Sequence, residues 1–194
     1  MTKYIYLIGY PLGHSISPLF QQAAFDYLYL DVRYQTWEVE HNQLYAAVAQ
    51  LQHPQNLGAN VTVPYKERVL PLLDELDGLA QRIGAVNTIV NRDGKLMGYN
   101  TDADGFLQAL RREGNFEPCG KRVVLLGAGG VARAVCFALM EAEVSSLTII
   151  NRTTERAKAL AAAIAENFGK EAAVLPWGDS ALTEVLSGCQ LLVN

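Results

Sequence analysis

The chain has 194 residues, half of them hydrophobic and 19% charged, with a formal net charge of −4. That balance suits a globular protein able to bury one large core or two smaller ones. It argues against a nucleic-acid-binding surface, since no basic run occurs, and against a membrane span, since the apolar runs are strand-sized or broken by charge.

The first apolar stretch, Tyr4 to Ile8, is too short for a secretory signal and leads straight into the fold. Cys119, Cys136 and Cys189 are odd in number, far apart and in no paired motif, so buried free thiols in a reducing cytoplasm are expected. His14, His41 and His53 have no metal-ligand spacing, and no metal site is expected.

In chain order, Lys3–Ile8 reads as a buried strand and Pro18 to about Tyr29 as a helix, with Ser17 as N-cap and Pro18 in the first turn. Arg33–Val39 alternates as a strand, Gln43–Gln52 has helical spacing, and Ala59–Val63 is a short strand ended by Pro64. A helix is expected from about Tyr65, bent or restarted at Pro71. Val86–Asn91 and Lys95–Tyr99 form a hairpin around Arg92-Asp93-Gly94, and Ala103–Arg112 is helical. After the loop "NFEPCGKR", strands at 123–126, 146–150, 172–175 and 190–193 alternate with helices at 131–142, 154–167 and 180–186. Strict alternation with short links implies a parallel sheet with right-handed crossovers. The fold class is therefore α/β in two parts: an N-terminal domain over residues 1–101, a connecting helix and loop over 102–118, and a doubly wound domain over 119–194.

The second part carries the most legible motif. "VVLLGAGGVARAV" is a strand, a glycine turn and a helix, fitting G-x-G-x-x-A. Gly127 permits the tight turn, Gly129 lets the backbone approach a pyrophosphate, and Ala132 lets helix and strand pack closely. Ala128, Gly130 and Val131 complete the cradle, whose N–H groups favour phosphate. The acid that would hold a ribose 2′-hydroxyl at the end of the next strand is replaced by Asn151, followed by Arg152. An acid repels a 2′-phosphate, whereas Arg152 can pair with it and stack on adenine. Thr153 can add a hydroxyl and Arg156 a second charge one turn on, which selects NADP over NAD. The plain alternative is that Thr153 or Thr154 caps the helix and the arginines are solvated.

The first part gathers polar groups where strands end. Ser15 and Ser17 flank a helix start, where hydroxyl donors suit an anion. Asn60 and Thr62 alternate with Val61 and Val63 and so share one strand face. Lys66 follows Pro64, Asn87 opens a strand, and Asn100, Thr101 and Asp102 close one before a helix. Each has a plain alternative: satisfied backbone groups, a surface lysine, an N-cap.

Taken together, "GYPLGHSISP", "NVTVPYKE", "GAVNT", "GYNTDADGF", "GAGGVARA" and "NRT" occur in an order and spacing that closely resemble the shikimate dehydrogenase family. The resemblance implies NADP-dependent, reversible reduction of 3-dehydroshikimate to shikimate in aromatic amino-acid biosynthesis. It also implies a mixed-sheet substrate domain facing a Rossmann domain across a cleft. It assigns the substrate carboxylate to Ser15 and Ser17, and the ring hydroxyls to Asn60, Thr62, Asn87 and Asp102, with Thr101 beside them. Lys66 and Asp102 become the catalytic pair. Either lysine or aspartate could carry the proton.

Quinate/shikimate dehydrogenase with NAD is the nearest alternative. Arg152 opposes it, and Ser17 does too, since some quinate-preferring relatives carry threonine there. A silent NADP-binding module is the alternative from a different class. A small-molecule substrate is expected, with no nucleic-acid or membrane partner, in a cytoplasmic monomer or homodimer. The resemblance further implies an "NATS"-like segment, more strands and a helical part carrying a substrate-touching glutamine after Asn194. The chain is therefore expected to be a piece of a longer protein with an incomplete nucleotide domain.

Overall fold

In the computed structural model, which describes residues 1–194, the Tyr- and Ile-rich run at the N-terminus forms strand β1 (Lys3–Gly9). Helix α1 (Ser17–Tyr27), strand β2 (Val32–Glu38), helix α2 (Leu44–Gln50) and strand β3 (Asn56–Val61) follow. Then come β4 (Glu75–Leu76), α3 (Gly78–Ile83), β5 (Thr88–Arg92) and β6 (Lys95–Tyr99). These elements form one compact unit, Met1–Thr101. Its sheet has the order β2-β1-β3-β5-β6-β4. β1 lies parallel between β2 and β3, β5 runs antiparallel to β3 and β6, and β4 is parallel to β6, so the sheet is mixed. Ile8, Val61, Tyr65, Val86, Ile89 and Leu96 centre the core.

Three expectations for this unit need correction, and a fourth concerns the cysteines, which all lie beyond it. Helix α1 begins at Ser17 itself, so Ser17 is not the N-cap; that position is Ile16, which has no side-chain cap. The turn is tied one residue earlier, where the Ser17 N–H donates to Ser15 Oγ at 3.3 Å.

Strand β3 starts at Asn56 and stops at Val61, so Thr62 lies just past its end rather than on its face with Asn60. The register against β1 shifts between Tyr4 and Ile5 because Leu57 is an extra residue. Gly58 absorbs that bulge at φ 147°.

No α-helix forms at Tyr65. The segment runs as successive turns, with Arg68 N–H to Tyr65 O at 2.9 Å and a single 3-10 turn at Leu70–Leu72. Nor are the thiols all buried: Cys136 is, but Cys119 is exposed and Cys189 intermediate.

The second unit, Asp102–Asn194, includes the segment 102–118. Helix α4 (Asp102–Arg112) precedes β7 (Arg122–Leu126), α5 (Gly130–Glu141) and β8 (Ser146–Asn151). Helix α6 (Thr154–Phe168), β9 (Ala173–Pro176), α7 (Leu182–Gly188) and β10 (Leu191–Val193) complete it. Its sheet is parallel throughout, in the order β10-β7-β8-β9. The chain order reverses between β7 and β10, and that switch opens a crevice beyond the carboxyl ends of the strands. Residues Ala134 to Met140 of α5 are all buried, because this helix has neighbours on several sides. Gly169 ends α6 at φ 62°, a left-handed cap. No helix is long and apolar enough to cross a membrane.

Candidate functional site

In the first unit, polar groups collect at the sheet edge where β1 and β3 end. The Gly9 loop is locked to the end of β3: Tyr10 N–H donates to Val63 O at 3.0 Å and Thr62 N–H to Ile8 O at 2.9 Å. A Cβ on Gly9 would stand 2.5 Å from Thr62 Cγ2, so glycine is what allows this approach. Leu12 N–H donates to Glu38 Oε1 at 2.6 Å and fixes the loop that carries Ser15 and Ser17, both half-buried.

Asn60 sits in a chain of side-chain hydrogen bonds. Tyr34 donates its hydroxyl to Asn60 Oδ1 at 2.9 Å, and Asn60 Nδ2 donates to Thr88 Oγ1 at 3.3 Å. Thr88 Oγ1 donates onward to Asn87 Oδ1 at 3.0 Å. Asn87 then clamps Thr101 twice, through Nδ2 to Thr101 Oγ1 at 2.8 Å and through Oδ1 from Thr101 N–H at 3.0 Å. The array reaches from β2 to the end of β6. Burial pushes the Tyr34 phenol up to about 12, so it stays a neutral donor to Asn60. A cavity of about 290 Å³ opens on part of this array, lined by Phe25, Tyr34, Asn60 and Thr88.

Lys66 lies in the turn after β3 and is only 9% exposed. Its carbonyl accepts from Val86 N–H at 2.7 Å, one residue before Asn87. The preceding Tyr65 is buried and donates its hydroxyl to Val39 O, which pins the turn from the other side. Buried Asn100 is spent on structure, donating to Ala85 O at 2.9 Å. The structure thus joins Asn87 to Thr101 directly and Asn60 to Asn87 through Thr88, with Ser15, Thr62 and Lys66 on neighbouring turns and Ser17 at the start of α1. Asp102, the first residue of α4, falls in the second unit. Tyr34 and Thr88 were not singled out from sequence; only the pairing of β3 with β5 and the packing of β2 reveal them.

In the second unit, β7 runs into Gly127 at φ 117°, a conformation that glycine adopts freely. Gly127 N–H donates to Ile150 O at 2.8 Å, which ties the turn to the end of β8. Gly129 is the N-cap of α5 and offers no side chain, so the first N–H groups of the helix, at Gly130, Val131 and Ala132, receive no cap from it. A Cβ at Gly129 would meet nothing within 4 Å. The protein's own packing therefore does not demand glycine there, whereas a phosphate drawn to those N–H groups would. Ala128 is buried and Ala132 packs against the second core.

At the end of β8, Asn151 Nδ2 donates to Thr153 O at 2.8 Å and shapes the turn. Thr153 is the N-cap of α6, yet its hydroxyl caps nothing. Arg152, Thr153 and Arg156 are exposed. A cavity of about 440 Å³ lies at the carboxyl ends of the strands, lined by Gly127, Ile150, Asn151, Arg152, Trp177 and Asn194. Trp177 is the member that sequence reasoning missed. The residues fit a 2′-phosphorylated dinucleotide on three counts: an uncapped helix start, open space above Gly129, and a guanidinium where an acid would have opposed the charge.

Comparison with known proteins agrees with both halves. The family model for the shikimate dehydrogenase substrate binding domain matches residues 7–89, and that for shikimate / quinate 5-dehydrogenase matches residues 110–177. A shikimate dehydrogenase (NADP(+)) of Desulforamulus reducens is 44% identical over 193 residues, covering 100% of this chain and 66% of the relative. The crystal structure of shikimate dehydrogenase from Aquifex aeolicus superposes with a TM-score of 0.87 at 38% identity, covering 100% of this chain and 68% of that one. The shikimate 5-dehydrogenase of Listeria monocytogenes, solved with shikimate and NAD, gives 0.87 at 32% identity, covering 98% and 67%. The chain spans about two thirds of the length of the curated relatives it matches. With both halves matched in order and the fold reproduced, the chain belongs to the shikimate dehydrogenase family.

Proposed function

We propose that the protein of which this chain is the matched part catalyses reversible NADPH-dependent reduction of 3-dehydroshikimate to shikimate. The observation that carries this reading is the array Tyr34–Asn60–Thr88–Asn87–Thr101 beside the Lys66 turn. A polyhydroxylated carboxylic acid needs an anion site, several neutral hydrogen-bonding groups and one proton donor, and this edge offers all three. Ser15 and Ser17 supply hydroxyl donors for the carboxylate. Asn60 uses one hydrogen-bonding position of each amide end within the array and keeps another for a ring hydroxyl. Asn87, Thr101 and Thr62 supply further partners, as does Asp102, which follows Thr101 directly.

NADPH, when bound, supplies the hydride. The chain's task is the oxygen end of the reaction. As negative charge develops on the carbonyl oxygen, the Lys66 ammonium stabilises it and gives up a proton. In the reverse direction Lys66, as the neutral amine, takes the hydroxyl proton. Asp102 is assigned to orient Lys66 and balance its charge. Gly127 to Ala132 would hold the pyrophosphate. Asn151, Arg152, Thr153 and Arg156 would hold the 2′-phosphorylated ribose, which favours NADP over NAD. Unpaired cysteines fit a cytoplasmic setting.

The test is the initial rate of reduced-cofactor formation by the full open reading frame that holds this chain. Shikimate and quinate are each paired with NADP+ and NAD+. Shikimate with NADP+ is expected to lead, by about tenfold or more over NAD+, the worth of one charge-assisted hydrogen bond. NAD+ preference would overturn the role of Arg152. Silence with every pair, alongside retained 2′,5′-ADP binding, would replace the enzyme with a binding module.

A further inference from the structure

β8 and β9 run parallel with Asn151 opposite Pro176, so Arg152 and Trp177 leave neighbouring strands side by side. Both line the same cavity of about 440 Å³. Trp177 is 63% exposed and stacks on no other ring. The only other tryptophan, Trp37, instead packs 5.0 Å from Tyr6 against the first core. The backbone that presents Trp177 is tightly turned: Gly178 follows at φ 95°, and Asp179 N–H donates to Pro176 O at 3.2 Å. A single exposed aromatic needs no explanation. One held on a closed turn, in a cavity and beside the guanidinium assigned to a 2′-phosphate, does.

We propose that Trp177 is the base wall of the nucleotide site, its indole lying against the purine ring of a 2′-phosphorylated adenosine whose phosphate Arg152 takes. This rests on the NADP reading above and adds a residue to it. An indole offers a broad π-face that stacks on a purine in offset fashion. Every adenine cofactor presents the same face, so Trp177 adds affinity without choosing between NADP and NAD. Arg152 makes that choice. The two neighbours therefore divide the work: one binds the base, the other reads the phosphate.

Isothermal titration of 2′,5′-ADP and 5′-ADP into the wild-type protein, Trp177→Ala, Trp177→Phe and Arg152→Ala separates these roles. Trp177→Ala should weaken both ligands by about tenfold, the scale of one base stacked on one aromatic ring. Their affinity ratio should not change. Trp177→Phe should recover most of the loss. Arg152→Ala should collapse the ratio instead. Tryptophan emission adds an independent readout: 2′,5′-ADP should quench the wild-type protein and leave Trp177→Phe, which emits only from Trp37, unchanged. Trp177 is exposed, so unfolding midpoints of its variants should match the wild type and exclude a folding defect. Wild-type-like binding of both ligands by Trp177→Ala would overturn the proposal while leaving the NADP reading intact. Failure of the wild-type protein to bind 2′,5′-ADP would overturn the NADP reading and this proposal with it.

Discussion

Replacing Tyr34 with phenylalanine removes one oxygen and keeps the ring. The packing against Leu7, Leu12 and Phe25 survives, with Phe25 still about 6.5 Å away between centroids. What is lost is the 2.9 Å hydrogen bond to Asn60 Oδ1. A neutral hydrogen bond of this kind contributes a net ~1 kcal/mol, roughly fivefold in the folding equilibrium. Asn60 then keeps only the long 3.3 Å bond to Thr88, so its amide turns more freely. The KM for shikimate should rise about fivefold with little change in kcat.

The pH dependence gives a second, signed check. The folded phenol titrates at about 12 against an ordinary value of 10.0, so above pH 10 the native state holds a proton that the unfolded state releases. Stability from this group is complete below pH 10 and is lost as the pH climbs toward 12. After allowance for solvent screening, the loss by about pH 11 is ~1 kcal/mol. Unfolding free energies from urea titrations should therefore place wild type above Tyr34→Phe by ~1 kcal/mol near pH 8 and close to it near pH 11. Parallel pH curves with equal midpoints would refute both the hydrogen bond and the raised phenol.

Gly129→Ala should leave stability within about 1 kcal/mol, since its backbone is ordinary at φ −95° and a Cβ meets open space, yet weaken NADP+ binding at least tenfold; thermal unfolding and calorimetry on the same samples check both halves. Gly58→Ala should cost more than about 3 kcal/mol or prevent folding, because φ is 147° and a Cβ would stand 2.0 Å from Ile89 O; a urea titration decides. Arg152→Ala should lower kcat/KM for NADP+ by about tenfold to a hundredfold while changing that for NAD+ less than threefold, read from initial rates with each cofactor.

Much of the fold was legible because its cues are local. β1, β7 and β8 are apolar runs, the Arg92-Asp93-Gly94 hairpin names itself, and the glycine turn sits between a strand and a helix. The segment from Tyr65, where a helix bent at Pro71 is expected, folds as turns because its partners lie far away. Its charged and apolar residues mimic a helical period, but Asp74 and Asp77 send their N–H groups to Leu96 and Gly98 carbonyls at 3.0 and 2.9 Å. Pairing with β6 thereby overrides local propensity. Helix α3 did have local cues: Asp77 accepts from Leu79 N–H at 3.0 Å and Gly84 ends it at φ 69°. Its six residues are too few for periodicity to register.

The candidate site divides along the same line. Asn60 and Asn87 stand out as polar residues at strand ends, Ser15 beside a helix start and Lys66 on the turn after a strand. Tyr34, Thr88 and Trp177 acquire their places only when β2 and β3 flank β1, β3 meets β5 and β8 meets β9.

Whether Lys66 acts on the substrate oxygen or merely holds its turn is decided by the kinetics of Lys66→Met. Methionine keeps the stem inside the fold and removes the ammonium. With shikimate and NADP+, kcat should fall by at least about a hundredfold while KM changes less than about threefold, with the unfolding midpoint close to wild type. An unchanged kcat, or a loss confined to KM, would remove Lys66 from the chemical step.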